Sequence, residues 1–236
     1  MTFLHKHLLA GAAAAACALP AVSHADLAFN VGAVTDYRYR GISQSRLQPA
    51  LQGGIDFTSG GFYLGSWATT LKWIKDAGGD ADVEVDFYGG YKDSISEGLG
   101  YDVGVLTYQY PSNRLSPSAN TTEIYGALSF GPATLKYSHS VSNLFGFADS
   151  KGSGYLDLSA TFDVGNGITV TPHIGHQRVR NTSAASYTDY SLTVAKDFSG
   201  LVVSAALVGT DADGYLAPNG KDLGKAGVVL GLKYNF

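Results

Sequence analysis

The chain has 236 residues, 45% hydrophobic and 15% charged, with 30 glycines, 15 tyrosines, 11 phenylalanines and one cysteine. A formal net charge of −4 argues against nucleic acid, whose binders carry a basic patch. One cysteine excludes a disulfide framework and a thiolate metal site.

Residues 1–25 read as a signal peptide. Lys6 precedes an apolar run from Leu8 to Leu19, Pro20 breaks it, and Ser23 and Ala25 put small residues before a cut ahead of Asp26. Without Lys6, the 16 Lys+Arg fall to 15 against 20 Asp+Glu, so the mature chain, residues 26–236, has a formal net charge of −5. Beyond the leader no run reaches the roughly 18 consecutive apolar residues of a membrane helix.

From Asp26 onward the pattern is alternation, the period of a strand with two unlike faces. Leu27, Phe29, Val31 and Ala33 open it, and Leu51, Gly53, Ile55 and Phe57 follow. Phe62 to Thr70 reads as a strand of ambiguous facing. The rhythm continues through Val83–Tyr91, Tyr101–Val105, Ile124–Phe130, Ala133–Tyr137, Leu156–Val164, Ile168–Ile174, Tyr190–Val194 and Leu201–Leu207. The chain closes on Val228, Leu230, Leu232, Tyr234 and Phe236. About twelve strands of roughly ten residues fit a transmembrane antiparallel up-and-down β-barrel, an all-β fold.

The connections alternate long and short. The long ones are Gly41–Pro49, Lys72–Ala81, Pro111–Thr121, Ser142–Gly154, Asn181–Ser186 and Asp211–Gly224. The short ones are Ser59–Gly60, Lys92–Gly98, Gly131–Pro132, Gly165–Gly167 and Asp197–Gly200. Outer-membrane barrels have this habit, with short turns in the periplasm and longer loops outside. An even strand number leaves both termini on the short-turn side, and pairing of the last strand with the first removes the exposed edge.

The stretch from Gly32 to Thr69 adds a resemblance. Its runs "TDYRYRGISQ" (Thr35–Gln44), "PALQG" (Pro49–Gly53) and "GFYLGSW" (Gly61–Trp67) resemble the hallmark of the TorF-family outer-membrane porins of Gram-negative bacteria. The resemblance implies a porin-like protein of the outer membrane and names no solute. The closing "LKYNF" resembles the C-terminal signal read by the barrel-assembly machinery. The partners expected are therefore outer-membrane lipids and lipopolysaccharide, that machinery through Phe236, and small hydrophilic solutes. A homo-oligomer stays open.

Parity nominates the lumen lining: Asp36, Arg38, Arg40, Asp56, Glu84, Asp86, Asp102, Glu123, Lys136, Asp157, Asp163 and Asp189, with Lys225 and Lys233. Carboxylates exceed basic groups, which in a channel favours cations. Lys136, between the strands of Glu123 and Asp157, is expected in a cross-strand ion pair. In the first loop Arg38, Arg40 and Arg46 bracket Gly41, Ile42, Ser43 and Gln44. Two readings of this outer-mouth loop stand side by side. The guanidiniums bind an anionic solute or lipopolysaccharide phosphate, or Arg38 and Arg40 pair with acids such as Asp36 or Asp56 and pin the loop. Gly41 is expected at positive φ. A narrow lumen plugged by the inward loop Gly41–Pro49 is consistent with a barrel of this size.

No cofactor, metal or catalytic residue is expected. His173 and His176 are an odd number of positions apart and face opposite sides of a strand. His139 and Ser142 lack the spacing of a nucleophile and its base. Strand-end aromatics are expected in two interfacial belts. They are Tyr37, Tyr39, Trp67, Trp73, Tyr91, Tyr108, Tyr110, Tyr155, Tyr187, Tyr190 and Tyr234. The alternatives to a diffusion channel are a closed structural or adhesive barrel and, more remotely, a lipid-acting enzyme.

Overall fold

The computed structural model describes residues 25–236. The signal peptide expected over residues 1–25 lies, Ala25 apart, outside the described residues. Strands β1 (Asp26–Val34), β2 (Arg38–Tyr39), β3 (Ile42–Ser43), β4 (Ala50–Ser59) and β5 (Phe62–Thr70) come first. A one-turn helix, α1 (Trp73–Asp76), interrupts them before β6 (Val83–Ser96), β7 (Leu99–Gln109), β8 (Thr121–Phe130) and β9 (Ala133–Ser140). The chain ends through β10 (Gly154–Ala160), β11 (Phe162–Gly165), β12 (Ile168–Arg178), β13 (Tyr187–Phe198), β14 (Leu201–Thr210) and β15 (Gly227–Asn235).

Setting aside the small β2–β3 hairpin, each strand pairs antiparallel with its neighbour around a closed ring. Strands β10 and β11 both pair with β12 and form one stave broken at Thr161, so the barrel has twelve staves. Closure is by β1 against β15, from Asn30↔Asn235 to Val34↔Gly231. Phe29 and Phe236 extend it, exchanging backbone N–H···O bonds of 2.8 and 3.0 Å while their rings stack 5.8 Å apart. The last strand has no free edge because its edge is the first strand's partner.

Alternation sorts the side chains as the sequence indicates. Leu27, Leu51, Leu64, Phe87, Ile124, Leu156, Leu192 and Leu230 stand exposed on the outer wall, a contiguous apolar belt that water would not tolerate and lipid would. The ambiguous strand β5 resolves with Phe62 and Leu64 outward and Tyr63, Trp67 and Thr69 inward. One turn differs from expectation: β6 runs through Lys92 to Ser96, and the reversal is the two residues Glu97–Gly98, with Gly98 at φ 75°.

Tyrosine lying over glycine accounts for much of the glycine and tyrosine excess. A Cβ on Gly65 would sit 2.5 Å from the Tyr88 ring, and one on Gly104 2.5 Å from the Tyr125 hydroxyl. The missing side chain leaves a slot that the cross-strand aromatic fills, which supports a tightly curved wall.

Hydrophobic clusters sit at the long-loop end rather than in the wall. Leu71, Ile74, Tyr108, Tyr110 and Ala119 form one, with Tyr39, Trp73 and Phe145 packed against it. Ile42, Tyr187, Ala212, Ala217 and Leu223 form another. The first loop is wedged between these two clusters and so is held by its neighbours on both sides.

Candidate functional site

The site begins with a turn. Arg40 and Gly41 both have positive φ, 46° and 81°, and join β2 to β3 with the register Tyr39↔Ile42. Two central residues at φ > 0 make the I′ type of hairpin turn, whose twist matches the flanking strands. Arginine in the left-handed region is strained, and its contacts must hold it there. Gly41 has no room for more: a Cβ would lie 2.7 Å from Cβ of Asp189 and 3.1 Å from the Gly209 carbonyl oxygen.

The hairpin is a finger that crosses the lumen. It leaves the ring at β1, and its Arg40 guanidinium donates to both carboxylate oxygens of Glu123 on β8, at 3.1 and 2.8 Å. It also donates to Oε1 of Gln177 on β12 at 2.5 Å. It lies 4.1 Å from the ring centroid of Tyr155 on β10 and 4.8 Å from that of Tyr39. Strands β8, β10 and β12 are on the far side of the ring from β1, so one side chain ties the finger to the opposite wall. Tyr39 and Tyr108 share a 2.5 Å hydroxyl contact, and Tyr108 donates to Glu123 at 3.3 Å.

Closer to its root the finger is held by Asp36. Arg38 Nε donates to its Oδ2 at 2.7 Å and Ser43 Oγ to its Oδ1 at 2.5 Å. The Arg38 guanidinium also reaches the carbonyls of Gly41 and Lys225. Tyr37 donates its hydroxyl to Glu84 on β6 at 2.8 Å. Gln44 accepts at its carbonyl from the backbone N–H of Lys72 and Trp73. Arg46 forms a two-pronged pair with Asp76 of α1. Each of the three first-loop guanidiniums therefore meets a carboxylate of the chain itself. Asp56, offered as one partner, instead accepts from Tyr88 at 2.5 Å.

Below the finger Asp56, Asp102, Lys136 and Asp157 are half-buried. Asp102 accepts from Tyr63 at 2.5 Å; His173 bridges Asp157 (2.7 Å) and Asp189 (3.6 Å), and Tyr155 donates to Asp189 at 2.9 Å. Lys136 departs from the expected ion pair: its Nζ sits 3.9 Å from the Tyr125 ring centroid, because Glu123 is taken by Arg40 and Asp157 by His173. Asp163 lies exposed near the short-turn rim, where it caps the Gly165 N–H at 2.8 Å. Lys233 is half-buried on β15 and Lys225 is exposed in the last loop.

Glu84, Glu123 and Asp189 are each only 2% exposed, and Asp86 7%. Among the described residues Asp86 Oδ1 is buried without a hydrogen-bond partner.

The aromatic belts need correction. Tyr37, Tyr108, Tyr110, Tyr155 and Tyr187 are buried, not at the lipid boundary, and Trp67 packs edge-on against Tyr37. Tyr108, Tyr155 and Tyr187 share parity with Asp102, Asp157 and Asp189, the signal that points them inward. Tyr190 and Tyr234 do face outward. Gln177 and His173, central to the network, carried no sequence mark beyond inward parity. At β9, Ser142 Oγ binds Thr122 N–H and the Asn143 carbonyl, while His139 lies by the Tyr137 hydroxyl.

A closed twelve-stave barrel with an apolar outer wall and a polar, loop-crossed lumen is the fold of an outer-membrane porin. A crystal structure described as the NanC porin superimposes with a TM-score of 0.56 at 13% identity, covering 89% of this chain and 99% of that one. OprD from Pseudomonas aeruginosa gives a TM-score of 0.42 at 12% identity, over 89% of this chain and 65% of that one. OccAB3 of Acinetobacter baumannii gives 0.42 at 13% identity, over 90% and 64%; neither of these two adds to the argument. No curated protein matches the sequence. Over residues 18–236 the chain matches, and belongs to, the family described as "Bacterial protein of unknown function (Gcw_chp)"; that description does not mention TorF.

Proposed function

We propose that this protein is an outer-membrane channel for passive diffusion of small hydrophilic solutes, cation-preferring and narrowed by its first loop. The short turns face the periplasm and the long loops face outward, an orientation set by export through a cleaved leader and by assembly through the strand ending at Phe236. The TorF-like runs from Thr35 to Trp67 agree with this assignment.

One observation carries the reading: the basic groups of the first loop are already consumed. Arg38 and Arg40 are paired with Asp36 and Glu123. The passage is then left with Asp56, Asp102, Asp157 and Asp189 against Lys92, Lys136 and Lys233, with His173 between Asp157 and Asp189, a small excess of carboxylate that favours cations. The finger makes the open cross-section small.

The filled outer half supports a second reading, a closed structural barrel. Planar-bilayer recording under a KCl gradient separates the two. A small conductance whose reversal potential reports cation preference is expected; silence from both the wild type and a finger-destabilised variant favours the closed barrel, and anion preference overturns the charge assignment.

A further inference from the structure

A second site lies on the outside of the wall, at the long-loop rim between β9, β10 and β12. The register places Gly154 between His139 on one neighbour and Arg178 on the other. All three positions are on the outward face, since Leu156, Tyr137 and His176 one step below point outward. With no side chain at Gly154 the row has a gap that the Tyr137 ring fills, and the two flanking residues stand two strand spacings, about 10 Å, apart.

Above this gap is a recess of about 730 Å³. Lys151, Arg178 and Arg180 enter its lining against one carboxylate, Asp149. All three cations are exposed, and among the described residues none takes part in an ion pair; the pairs found lie elsewhere. Arg180 is fixed by its backbone N–H to Ser153 Oγ at 3.0 Å, and its guanidinium by the Lys151 carbonyl at 3.2 Å. Two guanidiniums without a carboxylate partner, that of Arg180 held in place, match phosphate oxygens on a membrane protein's outer wall.

On the wall toward β7 and β8 is a separate apolar recess of about 300 Å³, lined by Val103, Leu128, Leu135, Tyr137 and Leu156. It faces the same way, and Tyr137 and Leu156 lie beside both His139 and Gly154. A cationic recess at the rim, with an apolar recess on the wall beside it, has the polarity of a phosphorylated amphiphile standing upright in a leaflet.

We propose that this face binds a phosphorylated glycolipid of the outer leaflet, lipid A in chemical class, with a phosphate between Arg178, Arg180 and Lys151 and an acyl chain in the apolar recess. The proposal rests on the reading of the wall as bilayer-embedded with its long loops outward. The charge balance and the position at the outer rim favour this source over a periplasmic-leaflet phospholipid.

The test is native mass spectrometry of the detergent-purified full barrel offered bisphosphorylated lipid A, dephosphorylated lipid A or phosphatidylglycerol. Wild type is expected to retain the bisphosphorylated form preferentially, and Arg178→Gln/Arg180→Gln to lower that retention about tenfold or more, the scale of losing charge-assisted contacts to phosphate. Both arginines are exposed; heat-modifiable electrophoretic mobility checks that the variant is folded, and Lys151→Gln repeats the measurement if it is not. Equal retention by variant and wild type overturns the site. Retention of dephosphorylated lipid A, or of phosphatidylglycerol, as strong as that of the bisphosphorylated form overturns the ligand class. Failure of the membrane reading is recognised separately, by a barrel folded and monodisperse without detergent.

Discussion

The two halves of the lumen are built on opposite principles. Toward the long loops, Tyr37, Tyr108, Tyr155, Glu84, Glu123 and Asp189 are buried and interlocked around Arg40. Toward the short turns, Asp56, Asp102, Lys136 and Asp157 are only half-buried, and their partners are tyrosine hydroxyls, a tyrosine face and a histidine. A buried charge needs a close counter-charge, whereas a solvated one does not. The outer half is therefore a structural latch and the inner half a charged vestibule; under the proposed channel function the first fixes where the passage narrows and the second which ions enter.

The largest effect should come from the latch. Arg40→Ala leaves Glu123 buried without its partner, a loss of about 3–5 kcal/mol for a buried pair broken on one side. Finger release should raise single-channel conductance severalfold, while heat-modifiability reports that the barrel still forms. An unchanged conductance would show that the finger does not limit the pore and would erase the contrast between the halves.

Gly41→Ala strikes the same latch from the backbone. Left-handed geometry costs a non-glycine residue about 1–2 kcal/mol, and the added Cβ meets Asp189 and Gly209. Faster tryptic cleavage after Arg40 and Arg46 is expected in the folded barrel; cleavage at the wild-type rate would mean that the finger tolerates the strain.

In the vestibule, Asp102→Asn should leave conductance nearly unchanged and move the reversal potential toward zero, because it removes charge without removing packing. A reversal potential unmoved by the change would show that the vestibule does not set ion preference.

The smallest effect belongs to the exposed Lys75–Asp82 pair in the second long loop, 2.9 Å apart. The hydrogen bond from Lys75 holds the Asp82 carboxyl below its usual range. A depressed carboxyl adds stability above its unfolded pKa and loses it as pH falls through the folded one. At this exposure Lys75→Ala should raise the Asp82 midpoint seen by NMR and leave barrel stability unaltered.

Much of this barrel is legible in the sequence. Twelve runs of alternating residues fix strand number and inside-versus-outside, because a pleated strand has a side-chain period of two and lipid and water impose opposite demands on its faces. The alternation of long and short connections set the up-and-down order, and Gly41 announced its turn. Where the sequence misled, the missing quantity was distance across the lumen. Parity turns Lys136, Glu123 and Asp157 inward, but only the closed ring shows that Arg40 reaches Glu123 first and His173 reaches Asp157. The tyrosines expected at the membrane boundary follow the same logic: a strand-end aromatic suits an interfacial belt or a loop-covered interior equally well, and the packed loops decide between them.

The sequence by itself thus determined the wall, since each strand's rhythm is local and survives any arrangement of its neighbours. Only the tertiary structure decided the contents of that wall. The partners of Arg40 come from staves remote along the chain, and the rim cations of β12 and its neighbouring loop meet Lys151 only when the ring brings those loops together. Pairing across a barrel depends on curvature and closure, which no single strand encodes.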